Sequence, residues 1–479
     1  MFRLADLVQN INGAQLLGDE NIRWNTISID SRTIKPGELF LALKGENYNG
    51  HNFIKEACQK GASGVVLGKD YFQKHLSWLE NLSLPLVVVE DTLQAYQSWA
   101  HHYLTLFNPL TICVTGSNGK TTTKEMIAHL LSSRYQVLKS EGNYNNEIGV
   151  PVTILNLTPE QEILVLEMAA QKAGEIKNLT GIARPDIVVL TNIGEAHIGL
   201  FGTKDIIARE KAELILALKD KGTAILNRDD NYFNFLLNCV PVQREVISFG
   251  FHPEAQVRAG DFWQKNEREL HFELVLPGQK KYQVLLPLLG KFNISNALAA
   301  LAVGLKAEIP LEDLVRHLAT FKGIDFHMQC LSIAKGITLI QDYYNANPTA
   351  TKEALFSVAS VAAGRFKVAV LGDMLELGEN SSDYHREVGS VAATISYDML
   401  IAYGKYANFI RKGALDEGMD SNSIFCFEKE EKERLANWLV ESIPENSIVL
   451  LKGSRSMQME DIVQCWQSHN KDKGSSSHA

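Results

Sequence analysis

The sequence predicts an α/β protein of three domains, with a central doubly wound, mostly parallel sheet that carries an added antiparallel part. Its 479 residues exceed what one hydrophobic core usually serves, at roughly 150 residues per domain. Short apolar runs, each followed by turn residues and an amphipathic segment, recur along the chain, which is the pattern of strands alternating with helices. With 45% hydrophobic and 22% charged residues, the composition excludes a mainly disordered or collagen-like chain.

The first predicted domain covers residues 1–108. Apolar runs at 39–43, 64–67 and 84–89 alternate there with helix-like pieces, which predicts a small α/β domain. Asn108 and Pro109 are the predicted linker to the next domain.

The second and third domains are predicted over 109–328 and 329–470. Buried strands are expected in the second at 111–115, 163–167, 187–191 and 223–227, and in the third at 337–341, 367–371, 399–403 and 447–451. The intervening turns and amphipathic helices favour parallel sheets, and the third domain is predicted to be Rossmann-like. Period-two patterning over 262–289 predicts antiparallel strands, followed by a helix over 293–305. The polar tail at 471–479 is expected to be unfolded.

Charge and cysteine usage exclude several classes of function. The net charge is −9 and no long basic block occurs, so no nucleic-acid partner is expected. The six cysteines are scattered without a C-x-x-C pair, which argues against a zinc site or a disulfide framework. A charge follows the N-terminus closely and no apolar run approaches roughly 18 residues, so we expect no secretory signal, no integral membrane segment and a cytoplasmic location.

The most informative segment joins the strand at 111–115 to a helix expected to begin near Thr123. Glycines there let backbone N–H groups face an anion, the helix N-terminus adds positive potential, Lys120 can neutralise phosphate oxygens and Thr121 can ligate Mg²⁺. Val114 stands where the full eight-residue pattern has glycine, so the match is to the shorter G-x-x-G-K-T form of the phosphate-binding loop (P-loop). The alternative is a glycine-rich connection with a solvated lysine. The predicted ATP-binding residues of this loop are Thr115, Gly116, Ser117, Asn118, Gly119, Lys120, Thr121 and Thr122.

Two polar residues follow other predicted strands. Glu167 ends the strand at 163–167, and His197 lies in the loop after 187–191. Open α/β sheets place their sites at such strand ends, so Glu167 is a candidate Mg²⁺ ligand. The alternatives are an acidic residue at a helix start for Glu167 and a hydrogen-bonded surface histidine for His197.

Four segments taken in order resemble the Mur ligases, the ATP-dependent amide-forming enzymes of peptidoglycan synthesis. They are Thr-Gly-Ser-Asn-Gly-Lys-Thr-Thr at 115–122, Gly-Asn-Tyr-Asn-Asn-Glu-Ile-Gly-Val-Pro at 142–151, Asp-Tyr-Tyr-Asn-Ala-Asn-Pro at 342–348 and Gly-Asp-Met-Leu-Glu-Leu-Gly at 372–378. The resemblance covers nearly the whole chain. It implies that ATP and Mg²⁺ are used to add D-alanyl-D-alanine to UDP-N-acetylmuramoyl-tripeptide through an acyl phosphate. We expect a monomer.

The resemblance also implies catalytic and metal-binding roles. Thr121 and Glu167 match the first magnesium site of the family, and His197 matches a ligand of the second. Lys211 lies where related ligases carry a lysine carbamylated by CO₂, whose anionic end suits Mg²⁺. From composition alone Lys211 is a solvated helix charge. The implied catalytic residues are Lys120, His197 and Lys211.

Further nucleotide contacts are implied on the second and third domains. Asn293 matches the asparagine that reaches adenine, although helix N-capping explains it equally well. In the family the loop that follows the first strand of the third domain closes over ATP, and its polar residues are Asp342, Tyr344, Asn345 and Asn347. A simple turn at Asn347-Pro348 is the alternative.

The resemblance also implies substrate-binding residues in all three predicted domains. Ser31 and Arg32 resemble the uridine-diphosphate contact segment, with an exposed turn as the alternative. Asn143, Asn145 and Asn146 would border the muramoyl-peptide channel, and Arg455 could hold a peptide carboxylate. His327 stands near a boundary where many relatives carry an arginine.

Three other functions stay open at this point. The first two are the family ligase that adds the third peptide residue and a folylpolyglutamate synthetase. The third is a P-loop nucleotide switch, whose guanine-reading Asn/Thr-Lys-x-Asp motif is incomplete at 203–206 and at 470–473.

Overall fold

The structure, a computed structural model, describes residues 1–45, 48–278 and 280–475. They form two compact units. The first unit comprises Met1–Ile112, Gln136–Met168 and Glu175–Pro185. The second comprises Cys113–Tyr135, Ala169–Gly174 and the described residues from Asp186 onward. The predicted boundaries at 108, 328 and 470 differ from this division and stay a prediction.

The strands are given in chain order. They are β1 (Phe2–Arg3), β2 (Gln15–Leu17), β3 (Arg23–Trp24), β4 (Ile27–Ser28), β5 (Leu39–Leu41), β6 (Gly64–Gly68), β7 (Leu86–Val89), β8 (Leu110–Thr115), β9 (Val137–Lys139), β10 (Ile163–Glu167), β11 (Ile187–Leu190), β12 (Thr223–Asn227), β13 (Glu245–Gly250), β14 (Val257–Asn266), β15 (Glu269–Val275), β16 (Tyr282–Leu286), β17 (Gln329–Ser332), β18 (Thr338–Asp342), β19 (Lys367–Gly372), β20 (Met399–Tyr403), β21 (Ile424–Phe427) and β22 (Ile448–Lys452).

The α-helices follow the same convention. They are α1 (Leu4–Gln9), α2 (Ile54–Gln59), α3 (Lys69–Lys74), α4 (Leu76–Leu79), α5 (Thr92–Phe107), α6 (Lys120–Leu131), α7 (Gly149–Ile154), α8 (Glu175–Ile182), α9 (Ile198–Phe201), α10 (Lys204–Leu216), α11 (Phe233–Asn238), α12 (Phe292–Lys306), α13 (Leu311–Leu318), α14 (Pro348–Val361), α15 (Ser381–Thr394), α16 (Ala407–Asp416), α17 (Lys432–Ser442) and α18 (Met459–Ser475).

A five-stranded sheet in the order β2-β7-β6-β5-β4 builds the N-terminal part of the first unit. β5, β6 and β7 are parallel and buried, which is why they are continuous apolar runs. They confirm the strands expected at 39–43, 64–67 and 84–89, with ends that differ by at most two residues. The sequence reasoning missed β1 to β4, because these strands of two or three residues are too short to show a period and lack the continuous buried apolar run of β5.

The strands predicted for the central part are also found. In the first unit β9 and β10 form a parallel pair. In the second unit β11 to β16 lie side by side in chain order. β11 to β14 are parallel, and β14, β15 and β16 are antiparallel, which confirms the expected antiparallel addition. The helix expected over 293–305 is α12, and it is buried on nearly all sides.

The C-terminal part of the second unit is a doubly wound sheet in the order β17-β18-β22-β19-β20-β21. Only β17 is antiparallel to its neighbour. Alternate residues of β18 enter opposite hydrophobic clusters, with Ile340 on one face and Leu339 on the other. Helices therefore cover both faces, and the predicted α/β fold class is confirmed.

α18 continues to Ser475, into the tail that was expected to be unfolded. Residues 476–479 of that tail lie outside the described residues. Within the described ranges, no helix combines the length and the apolar character needed to cross a membrane.

Candidate functional site

The P-loop connects β8 to α6 through two glycines that cannot be replaced without a clash. Gly119 has φ of +77° and is the N-cap residue of α6. A Cβ there would overlap Oδ1 of Asn296, and a Cβ on Gly116 would overlap the hydroxyl of Thr191. Both the left-handed conformation at Gly119 and the close approach therefore require glycine.

The loop after β11 holds the P-loop in place. Asn192 Oδ1 accepts from the backbone N–H of Asn118 at 2.9 Å. The hydroxyl of Thr191 donates to Asn118 O at 2.6 Å, and Ser117 Oγ accepts from Gly194 N at 2.8 Å. Sequence reasoning missed Thr191, Asn192 and Gly194 as supporting residues. Their signal was the run of polar residues directly after a buried strand.

Lys120 lies across the mouth of the P-loop. Its Nζ donates to Gly116 O at 2.9 Å and to Ser117 O at 3.2 Å. Thr121 and Thr122 lie half-buried in the first turn of α6. A loop of backbone N–H groups at a helix N-terminus with one lysine fits the phosphates of a nucleotide. Among the described residues, the buried hydroxyl of Thr115 makes no hydrogen bond.

Lys211 is buried in α10, with 5% of its surface exposed. The interpretation of Lys211 as a solvated helix charge is therefore wrong. Burial, assisted by the positive charge of Lys120, lowers the pKa of Lys211 to about 7, while Glu210 acts in the opposite direction. A substantial fraction of the amine is neutral at physiological pH.

His197 precedes α9 with a left-handed backbone, φ of +59°. Its Nδ1 is hydrogen-bonded to the carboxylate of Glu376 in the segment after β19. This hydrogen bond lowers the pKa of Glu376 below its ordinary value. Sequence reasoning quoted Glu376 only as part of a motif and gave it no role, because 179 positions separate it from His197.

In the first unit Glu167 ends β10 and is 2% exposed. Its Oε1 accepts from Asn145 Nδ2 at 2.9 Å, so two predicted site residues are brought together. Asn146 Oδ1 accepts from the N–H groups of Ile148 and Gly149 just before and at the start of α7. Asn143 is exposed on the same loop.

Within the described residues, no group of three or more His, Cys, Asp or Glu side chains is placed to hold a metal ion. The predicted ligands Thr121, Glu167 and His197 do offer the hydroxyl, carboxylate and imidazole donors that a divalent cation accepts.

The six-stranded sheet β17-β18-β22-β19-β20-β21 is the third sheet of the site. Three segments meet at the carboxyl ends of its adjacent strands β18, β22 and β19, namely 342–348, 452–455 and 372–378. Lys452 is 2% exposed; its Nζ pairs with Asp342 Oδ2 at 2.7 Å and donates to Asn345 O at 3.1 Å. Ser454 Oγ accepts from Leu375 N at 3.0 Å. Such an edge is where open α/β sheets bind ligands.

Two residues of the loop after β18 face different neighbours. Asn347 caps α14, with Oδ1 accepting from Ala350 N at 2.9 Å, and its Nδ2 donates to Asn118 Oδ1 of the P-loop at 2.6 Å. The loop therefore contacts the P-loop and is more than a turn. Tyr344 stacks on His327 with ring centroids 4.8 Å apart.

The side chains of Asn293 and Arg455 form hydrogen bonds or an ion pair with other residues of the chain. Asn293 is buried inside α12, with Nδ2 donating to Leu289 O at 2.8 Å and Oδ1 accepting from Asn296 Nδ2 at 3.0 Å. It is not the N-cap, which is Lys291, so the capping alternative is wrong. Arg455 pairs with Glu460 at 2.6 Å.

Ser31 and Arg32 lie in the turn after β4. Ser31 is buried and donates to Glu56 Oε2 at 3.0 Å, while Arg32 is exposed and forms a forked pair with Asp30. The hydrogen bonds from Arg32 lower the pKa of Asp30 to about 2. Lys60 donates to the backbone oxygens of both turn residues, which supports the backbone of the turn.

The chain is similar to known proteins over most of its length. The family models described as "Mur ligase family, catalytic domain", "Mur ligase middle domain" and "Mur ligase, glutamate ligase domain" match residues 23–104, 114–304 and 328–455. The UDP-N-acetylmuramoyl-tripeptide--D-alanyl-D-alanine ligase of Bacillus subtilis (strain 168) is 36% identical over 448 residues, covering 91% of this chain and 92% of the relative.

Two solved structures are similar over nearly the whole chain. MurF from Acinetobacter baumannii has a TM-score of 0.85 at 29% identity, covering 97% of this chain and 98% of that one. MurF ligase from Thermotoga maritima, solved in complex with ADP, has a TM-score of 0.80 at 28% identity, covering 95% and 100%.

Proposed function

Because this chain belongs to the Mur ligase family, we propose that it uses ATP to join D-alanyl-D-alanine to UDP-N-acetylmuramoyl-tripeptide. The Bacillus subtilis relative carries both substrates in its name, and the Thermotoga maritima relative was solved with ADP. The observation that carries the nucleotide half is the P-loop, whose two glycines are required by contacts with Thr191 and Asn296. The family membership and the incomplete guanine-reading motif at 203–206 and 470–473 disfavour a guanine-nucleotide switch.

The reaction we propose has two steps. The terminal carboxylate of the tripeptide attacks the γ-phosphorus of ATP, which gives an acyl phosphate and ADP. The amine of D-alanyl-D-alanine then attacks the acyl carbon, inorganic phosphate leaves, and the amine loses a proton. Because a carboxylate is repelled by a polyphosphate, positive charge is the main requirement. Lys120, at the mouth of the P-loop, supplies part of it.

Magnesium fits the donors that this chain offers. We assign Thr121 and Glu167 to one ion and His197 to a second, on the basis of the donor chemistry and the family resemblance. When bound, Mg²⁺ supplies positive charge at the phosphate oxygens. The contact from Asn145 to Glu167 orients that carboxylate.

Lys211 is suited to carbamylation. Only a neutral amine has the lone pair that adds to CO₂, and the addition releases one proton and leaves an anionic carbamate. Burial lowers the pKa of Lys211 to about 7, which leaves a neutral fraction near neutral pH. We therefore propose that Lys211 becomes a metal ligand after carbamylation.

The other proposed contacts follow the family resemblance. The nucleotide contacts are Asn293, Asp342, Tyr344, Asn345 and Asn347, and the substrate contacts are Ser31, Arg32, Asn143, Asn145, Asn146 and Arg455. In this structure Ser31 and Asn293 already hydrogen-bond within the chain. The single hydroxyl proton of Ser31 is used by Glu56, so Ser31 would have to release that carboxylate before it could donate to a phosphate. We propose a cytoplasmic monomer.

The function is tested by phosphate release from the purified protein with ATP and Mg²⁺. One tube receives UDP-MurNAc-tripeptide with D-Ala-D-Ala, and a second receives UDP-MurNAc-dipeptide with a third-position amino acid. We expect turnover only in the first tube, with a UDP-MurNAc-pentapeptide identified by mass spectrometry. Turnover only in the second tube would assign the chain to the preceding step, and turnover in neither would refute the proposed substrates.

A further inference from the structure

The loop that follows β19 touches the start of α9 by direct backbone contact. Gly199 N donates to Glu376 O at 3.0 Å. A Cβ on Gly199 would lie 2.8 Å from Glu376 O and would overlap Gly378 N, while a Cβ on Gly378 would lie 2.9 Å from the Cα of Gly199. Gly199 lies within α9 and its φ is not positive. Space for the facing loop is therefore what requires glycine at that position.

This backbone contact brings the Glu376 carboxylate to Nδ1 of His197. A carboxylate accepts hydrogen bonds, so the imidazole must carry its proton on Nδ1. The lone pair of the neutral ring is then on Nε2. A carboxylate behind a metal-binding histidine fixes the tautomer and the orientation of the ring in this way.

The loop that presents Glu376 is held by hydrogen bonds along its backbone. Met374 N donates to Nε2 of the buried His385 at 2.9 Å, and Leu375 N donates to Ser454 Oγ at 3.0 Å. The carboxylate of Asp373 accepts from the N–H groups of Lys405 and Tyr406, each at 2.9 Å. Glu376 is thus presented from a rigid support.

We propose that Glu376 is a positioning residue for His197: seated by the Gly199–Gly378 contact, it fixes the Nδ1-protonated tautomer and turns Nε2 toward the magnesium site. This inference rests on the proposed function for the identity of the metal. Its consequence is that the second magnesium site is complete only when the third sheet and its loops are seated against α9. The contact of Asn347 with Asn118 joins the same two parts of the chain beside the P-loop.

The test compares Glu376→Ala, Glu376→Gln and Gly199→Ala with two controls. Glu379→Gln changes an exposed carboxylate three residues away. Gly181→Ala adds a methyl group within α8, where a Cβ would meet no atom within 4 Å. The first readout is the tautomer of His197 in ¹H–¹⁵N correlation spectra of histidine-labelled full-length protein without ligands. His197→Gln identifies its signal among the 13 histidines.

We expect Nδ1-protonated His197 in the unaltered protein, in Glu376→Gln and in both controls. Glu376→Ala and Gly199→Ala are expected to lose this tautomer. In product formation, Glu376→Ala should need about 10- to 100-fold more Mg²⁺ for half-maximal rate, with unchanged ADP affinity because the P-loop is untouched. If Gly199→Ala fails to fold, the two Glu376 variants decide, since neither adds bulk.

An unchanged His197 tautomer in Glu376→Ala would overturn the inference, whatever its magnesium requirement. An unaltered protein that forms no amide product would instead refute the proposed function. The two failures are distinguishable because the spectra need no substrate and the product assay needs no variant.

Discussion

Burial of the Lys211 amine lowers the stability of the folded state, because a charged ammonium loses its hydration there. The pKa of Lys211 falls from 10.5 to about 7, so between these values the unfolded chain binds more protons than the folded one. Stability therefore rises with pH through this window and is lowest below pH 7. A buried residue that lowers the stability of the folded state is a candidate for function.

We predict that Lys211→Met is more stable than the unaltered protein and inactive as a ligase. The gain in free energy of unfolding should be about 2–4 kcal/mol below pH 7 in CO₂-free buffer and vanish above pH 10.5. Chemical denaturation at several pH values measures it. Lys412→Met, at an exposed position of α16, should change stability by less than about 0.5 kcal/mol. A less stable Lys211→Met would contradict the prediction.

At the scale of single elements, α6 depends on its first turn. Gly119 combines a left-handed backbone with a close approach to Asn296, whose amide also meets Thr123 and Asn293. The P-loop and the start of α12 therefore pack directly against each other.

We predict that Gly119→Ala weakens ADP binding at least about tenfold, because the left-handed strain and the overlap with Asn296 cost about 1–3 kcal/mol and displace the loop. Calorimetric titration with ADP and Mg²⁺ measures this. Gly181→Ala serves as the control and should bind as the unaltered protein does. Equal affinity in Gly119→Ala would show that the loop geometry does not set nucleotide binding.

The carboxyl edge of the third sheet depends on a buried ion pair. Lys452 and Asp342 are 2% and 14% exposed in their side chains, and Lys452 also donates to Asn345 O. Truncating one partner of a buried pair leaves the other charge without compensation.

We predict that Lys452→Met lowers the free energy of unfolding by about 3–5 kcal/mol. The double variant Lys452→Met with Asp342→Asn should recover much of this loss, because no lone charge remains buried. Ligase activity should stay low in both variants, since the loop that holds Asn345 loses its anchor. Urea unfolding and product assays separate the two effects. A single variant as stable as the double one would argue against the ion pair as the cause.

At the scale of the whole molecule, the chain forms two compact units, and the P-loop glycines, Lys120 and Lys211 all belong to the second. Proteins of several units often unfold in more than one step. A ligand raises the stability only of the unit that binds it.

We therefore predict two thermal transitions in calorimetry, of which ADP without Mg²⁺ raises one, since the P-loop belongs to the second unit. At 100 times the dissociation constant the stabilisation should be about 2.7 kcal/mol. Gly119→Ala should remove the shift without removing either transition. One transition that moves as a whole would mean that the two units unfold together.

Local patterns along the chain were sufficient for much of this description. Periodicity and turn residues located the longer strands and the P-loop, and the order of four motifs indicated the family. Each of these features is determined by residues that are close together in the sequence. Hydrophobic alternation, glycine conformation and helix starts depend on near neighbours.

Contacts between distant residues were decided only by the packing of the folded chain. Glu376 with His197, Asn347 with Asn118 and Lys452 with Asp342 join residues 179, 229 and 110 positions apart. No local signal pairs such residues, because which strands become neighbours depends on the packing of all the helices against the sheets. The same packing buried Lys211, a residue that looked like a solvated helix charge, and lowered the pKa of its amine.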